Sequence, residues 1–142
     1  MKKYILLFAA ILVVFSVNAQ KKETRKVDDF TYISFGVSGD LEIKQGSTCE
    51  VILEGDPEDL KEIETYVTGG KLKIRRDNGW NWGWNKSGRI KVYVTLKEFD
   101  GVSVSGSGDA ISIGKLNGDF VDLSVSGSGD IDLDLDAEEV DC

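Results

Sequence analysis

The sequence predicts a mainly β chain: a single-stranded β-helix, or solenoid-like stack of strands, with one short α-helix near residues 57–67. Two observations carry this expectation. Ser103-Val-Ser-Gly-Ser-Gly-Asp109 recurs unchanged as Ser124-Val-Ser-Gly-Ser-Gly-Asp130, an offset of 21 residues. A period near 20 is the spacing of stacked rungs, none of which can bury its apolar face alone. Elsewhere apolar and polar residues alternate, the period of a strand with one buried face.

The chain opens on Lys2-Lys3, an apolar run from Tyr4 to Val17, and the small-residue close Val17-Asn18-Ala19. This pattern predicts a secretory signal peptide over residues 1–19, cleaved after Ala19. Broken by Ser16, the run is short for a membrane span of ~20 residues, so membrane contact is expected only before cleavage. Two lysines and no acids leave with it. The remaining 123 residues hold 15 basic and 25 acidic side chains, net −10. An exported acidic domain is expected, periplasmic or at the cell surface.

A charged leader, Lys21 to Lys26, precedes the first alternating segments. Leu41 and Ile43 alternate with Glu42 and Lys44 before a Gln45-Gly46 turn, and Cys49, Val51 and Leu53 alternate with Glu50, Ile52 and Glu54. A helix is then expected. Asp56 caps it, Pro57 suits its first position, Leu60, Ile63 and Val67 share a face, and Gly69-Gly70 ends it. Leu72 and Ile74 mark the next strand, and Ile90, Val92, Val94 and Leu96 another. Between those two lies a tryptophan segment, Asp77 to Gly88.

From Gly101 the repeat takes over. Gly106, Gly108, Gly127 and Gly129 fall at corners that need a positive φ or close approach of neighbouring rungs. Asp109 and Asp130 suit the same corners by accepting backbone N–H bonds. A weaker copy is Val37-Ser-Gly-Asp-Leu-Glu-Ile43, and Val140-Asp-Cys142 reads as the opening of another. One conflict stands. Aligned on the aspartates, Ala110 and Ser112 match Ile131 and Leu133, whereas Ile111 and Ile113 match Asp132 and Asp134. Either the first rung buries its other face, or a bulge resets the register.

Composition excludes much chemistry. The 142 residues, about one domain, contain no histidine, one proline, two cysteines and sixteen glycines. A Ser-His-Asp triad, a Cys-His pair and the usual His-containing zinc sites are absent, and two cysteines cannot hold an iron–sulfur cluster. A net charge of −8 disfavours nucleic acid, whose phosphates need a basic face. An oxidising compartment permits a Cys49–Cys142 disulfide, but both positions fit an alternating apolar face, so two buried thiols are the preferred reading. No cofactor and no metal are expected. The acids Asp130, Asp132, Asp134, Asp136, Glu138 and Glu139 do not follow the nine-residue calcium-roll motif. Stacked Asp109 and Asp130 would stand about 5 Å apart, a repulsion of only about 1 kcal/mol in water. The acid run reads as a solvated outer face.

At these residues the chain resembles a known family, the auto-transporter adhesin head domain, or head GIN domain, of exported bacterial proteins. The matching features are Phe30-Thr-Tyr-Ile33, Val37-Ser-Gly-Asp-Leu-Glu-Ile-Lys-Gln-Gly46, Val51-Ile-Leu-Glu-Gly-Asp56, Leu72-Lys-Ile74 and the two Ser-Gly-Ser-Gly-Asp runs. The resemblance covers residues 26–142. It implies a fold similar to single-stranded β-helices, an adhesion role by analogy, and further rungs in other members, so that this chain looks truncated at its C-terminus.

Trp80, Trp82 and Trp84 alternate with Asn81, Gly83 and Asn85, which in an extended segment puts three indoles on one face. Such a strip suits stacking on sugar rings or a partner's surface; the alternative is a hairpin folded back so that the indoles cover the core. The expected function is an exported, non-catalytic binding or structural module, adhesin-like, with a cell-surface glycan or envelope protein as partner. The second reading is a carbohydrate-binding domain using Trp80, Trp82 and Trp84. The weakest is a polysaccharide-active β-helix enzyme, because no acid is marked out for a raised pKa beside an ionised partner.

Overall fold

The structure, a computed structural model, describes residues 20–77 and 88–142. Residues 1–19 and 78–87 lie outside the described residues, and with them the expected signal peptide, Trp80, Trp82 and Trp84. In chain order the elements are β1 (Lys21–Arg25), β2 (Tyr32–Gly36), β3 (Gly39–Gln45), β4 (Glu50–Gly55) and α1 (Pro57–Lys61). There follow β5 (Ile63–Thr68), β6 (Lys71–Arg76), β7 (Ile90–Leu96), β8 (Gly101–Gly106), β9 (Asp109–Gly127) and β10 (Ile131–Asp141). Among the described residues all ten strands belong to one sheet, ordered β1-β4-β7-β3-β9-β8-β2-β6-β5, with β10 beside β9. The chain is mainly β.

The two copies of the repeat lie side by side and parallel, Val102 opposite Leu123 through to Gly106 opposite Gly127. β8 is also parallel to β2, and β2 to β6. β3 is parallel to both β7 and the start of β9. Strand pairs flanking a corner thus stack on one another. The expected parallel stack does not extend through the whole sheet, however. β1, β4 and β5 run antiparallel to their neighbours, and the sheet curls until its two end strands meet. There Arg25 on β1 donates to the carbonyls of Leu60 (2.9 Å) and Ile63 (3.1 Å) at the start of β5. A short α1, with Leu60 buried, sits at this end.

Alternation dictates the core. Leu41, Ile43, Val51, Leu53, Leu72, Ile74 and all four apolar residues of β7 are buried, joined by Phe30, Phe35 and Phe99. The helix expected over 57–67 is corrected: Asp56 caps it through a 2.9 Å bond from the Glu58 N–H, but it ends at Lys61. Ile63, Thr65 and Val67 are β-branched and stiff at χ1, which favours a strand, and β5 pairs with β6 from Ile63↔Arg76 to Thr68↔Lys71. Gly69 (φ 57°) and Gly70 (φ 74°) form the two-residue hairpin turn between them, since a turn with two positive φ angles follows the twist of the strands.

The register conflict resolves as a bulge. Ile131 faces Ala110 and Asp132 faces Ile111, but Asp134 faces Lys115. Three residues of β9, 112–114, therefore oppose Leu133 alone, and Gly114 takes φ 79°. Ala110 and Leu116 are buried on either side of it, while Ile111 and Ile113 are exposed. The reading of two buried thiols is also corrected. Both cysteines are free, Cys49 half-buried and Cys142 exposed, because Cys142 follows β10, which pairs only with β9 among the described residues.

Candidate functional site

One corner recurs in every layer of the stack. Two residues join β2 to β3, two join β8 to β9, and three join β9 to β10. β6 lies beside β2 and β7 beside β3, so the end of β6 and the start of β7 stand at the same corner. Thirteen residues of sequence, 77–89, separate the two strands, and the tryptophan segment falls among them. Its two bases are held down: the Asp77 N–H donates to the Glu62 carbonyl (2.7 Å), and the Gly88 N–H to Asp59 Oδ2 (3.1 Å).

The sequence-predicted corner residues come together here. Gly106 and Gly127 have φ 86° and 112°, the left-handed region that favours glycine. Gly108 and Gly129 serve close approach instead. A Cβ on Gly108 would stand 2.6 Å from Phe35 Cε1 and 2.7 Å from the Val37 carbonyl oxygen, and one on Gly129 would overlap the Gly108 carbonyl oxygen. Asp109 Oδ1 accepts the Asp130 N–H one layer on (3.1 Å), and the Ala110 N–H donates to the Asp130 carbonyl (2.9 Å). Ser38 and Ser107 hydroxyls stand 3.1 Å apart.

Arg89, which sequence reasoning missed, completes the column. Asp40 and Asp109 are neighbours across the β3–β9 pairing. The Arg89 guanidinium donates to Asp40 Oδ1 (2.8 Å) and Asp109 Oδ2 (3.2 Å), joining the base of the tryptophan segment to two layers. The hydrogen bond and charge of Asp40, then those of Asp109, hold the guanidinium above its ordinary pKa. Its only sequence signal is the position immediately before the Ile90 alternation. Arg89→Met should lower the melting temperature modestly by leaving two adjacent carboxylates unneutralised. That loss should shrink as salt is raised, because exposed charges are screened; melting curves at two ionic strengths check it.

Among the described residues no group of three or more His, Cys, Asp or Glu side chains converges as a metal site. Asp40 and Asp109 are engaged as acceptors, of the Arg89 guanidinium and, for Asp109, of a backbone N–H. Asp130, expected to accept in the same way, takes part through its own N–H and carbonyl instead. This is the chemistry of a rigid polar ridge.

Residues 29–142 match the family described as "Putative auto-transporter adhesin, head GIN domain". No curated protein matches the chain. Among solved structures, it is similar to a protein from Bacteroides fragilis described as a putative adhesin, with 21% identity and TM-score 0.76 over 83% of this chain and 55% of that one. It is also similar to a protein from Parabacteroides distasonis described as a putative lipid binding protein, with 24% identity and TM-score 0.63 over 84% of this chain and 61% of that one. A third, a putative adhesin from Parabacteroides merdae, has 18% identity and TM-score 0.60 over 84% of this chain and 53% of that one. The chain spans about half to three-fifths of these solved chains, and at such identities the likeness is one of fold.

Proposed function

The chain belongs to the auto-transporter adhesin head GIN domain family, and on that premise we propose that it is an exported, non-catalytic binding module of the cell surface or envelope. In this reading residues 1–19 are a signal peptide, residues 26–142 form the domain together with β1 just before them, and the layered strands are a solenoid closed at one end by antiparallel strands. The observation that carries the reading is the corner connection. Where other layers turn in two or three residues, the β6–β7 connection takes 13. Long connections on a rigid scaffold are where binding residues concentrate.

The tryptophans favour a carbohydrate ligand for this connection. Trp80, Trp82 and Trp84 supply large faces with a polar N–H, and Asn81 and Asn85 supply amides for sugar hydroxyls. A polysaccharide-active enzyme is the weakest reading, since Asp40 and Asp109 are committed to neighbouring donors.

The test is a glycan array and an envelope pull-down with residues 20–142, wild type against Trp80→Ala/Trp82→Ala/Trp84→Ala. Specific capture is expected, with at least a tenfold loss in the triple variant. Capture that the variant retains would move the contact elsewhere on the module. Release of reducing ends from a polysaccharide would overturn the non-catalytic reading.

A further inference from the structure

A second surface, built from described residues alone, carries its own ligand chemistry. On β6, Leu72 and Ile74 are buried, so Lys71, Lys73 and Arg75 point outward in a line, at steps of roughly 6.6 Å from the strand rise. On β2, Tyr32 lies opposite Lys71 and Ser34 opposite Lys73. On β5, Tyr66 lies opposite Lys73 and Glu64 opposite Arg75. Ser34 continues to Ser103 on β8 and Ser124 on β9. Across five strands the middle row therefore reads tyrosine, lysine, serine, serine, serine, without an acid.

The line is preorganised. Lys71 Nζ stands 4.3 Å from the centroid of the Tyr32 ring, and Arg75 Cζ 5.4 Å from that of Tyr66, both within cation–π range. Tyr32 is fixed further by its hydroxyl, 3.5 Å from Asp122 Oδ2. Glu64 engages Arg75 at 2.8 Å. Lys73, at the centre, takes part in no ion pair among the described residues.

On a chain of net charge −8, three aligned cations beside tyrosines and a row of hydroxyls select a ligand that is both anionic and rich in hydroxyl groups. We infer that the outer face of β5-β6-β2-β8 binds a carboxylate-bearing polysaccharide, its acids on Lys71, Lys73 and Arg75 and its ring faces and hydroxyls on the tyrosines and serines. A lipid surface fits less well, because interfacial binding couples charge to an apolar anchor and these rows carry no outward aliphatic side chain. The inference rests on the binding-module reading but uses none of residues 78–87.

The test is binding of residues 20–142 to polygalacturonate by calorimetry, with neutral dextran as control. Salt-sensitive binding to polygalacturonate alone is expected. Lys73→Glu should weaken it at least tenfold and Lys73→Gln less, whereas Lys44→Glu, the same charge change at an exposed position of β3, should leave it within twofold. Both positions are on the surface of paired strands, and circular dichroism verifies that each variant folds. The triple tryptophan variant should bind polygalacturonate as wild type does. No binding at low salt, equal losses in Lys73→Glu and Lys44→Glu, or capture by phosphatidylglycerol vesicles in place of polygalacturonate would each overturn the assignment. Array capture of neutral glycans alone would overturn it while leaving the binding module standing.

Discussion

Gly39→Ala is expected to destabilise the fold by about 3 kcal/mol or more, at the upper end of what overpacking costs. Gly39 is paired with Ile90 across β3 and β7, and its φ is not in the left-handed region. The penalty is therefore purely steric. An added Cβ would overlap the Ile90 carbonyl oxygen, and it would lie 3.0 Å from the Ile90 carbonyl carbon and 3.1 Å from its nitrogen. No flexible side chain is available to yield, so the two strands must part. Parting them also pulls Arg89 away from Asp40, the residues flanking the clash, and weakens the corner. Gly106→Ala is the contrast. Nothing lies within 4 Å of a Cβ there, and only φ 86° opposes it, a backbone cost of roughly 1–2 kcal/mol. Urea unfolding of both variants should place Gly39→Ala well below Gly106→Ala. Equal midpoints would contradict the close approach of β3 and β7.

Gly108→Ala should cost about 2–3 kcal/mol for a related reason, with one difference that makes it separable. Its Cβ meets the Phe35 ring edge, 2.6 Å from Cε1 and 3.0 Å from Cδ1, as well as the Val37 carbonyl oxygen at 2.7 Å. Phe35 is fully buried. Phe35→Leu alone leaves a cavity and destabilises, but in the double variant the smaller side chain makes room for the methyl group. The two changes should then be non-additive by about 1 kcal/mol, the expected behaviour of residues in contact. Recovery should remain partial, because the Val37 carbonyl is backbone and cannot be trimmed. A strictly additive double variant would mean that Gly108 does not pack on Phe35.

Much of the architecture was legible because alternation is a local code for burial. Leu41, Ile43, Val51, Leu53, Leu72, Ile74 and the four apolar residues of β7 were all recognisable as inward-facing, and all are buried. The unchanged seven-residue repeat announced two neighbouring strands, and those strands pair residue for residue. The candidate site was legible only by composition. Glycines and aspartates at a repeated corner are visible in a sequence, but Arg89 stands outside the repeat and joins it only because β7 runs beside β3. Lys71, Lys73 and Arg75 were visible as the polar half of an alternating strand. Their neighbours Tyr32 and Tyr66 come from strands whose adjacency no period records.

By itself, then, the sequence determined that β3, β4, β6 and β7 are strands, which side of each is buried and which two strands repeat, since a side chain's side of a strand depends only on its parity. Lys21–Arg25, read as a charged leader, became strand β1 only through its pairing with β4. The tertiary structure decided what parity cannot carry. Leu60, Ile63 and Val67 satisfy a helical spacing, yet Ile63–Thr68 is a strand, because β6 offers it a complete antiparallel ladder across the Gly69-Gly70 turn. The conflict at Ala110–Ile113 was settled by a bulge at 112–114 that lets both Ala110 and Leu116 reach the core. The ends of the antiparallel strands β1 and β5 are likewise brought together across the chain, with Arg25 donating to the carbonyls of Leu60 and Ile63, 35 and 38 residues away. Each of these choices turns on a partner distant in the chain, and local periodicity fixes a strand's faces without fixing its neighbour.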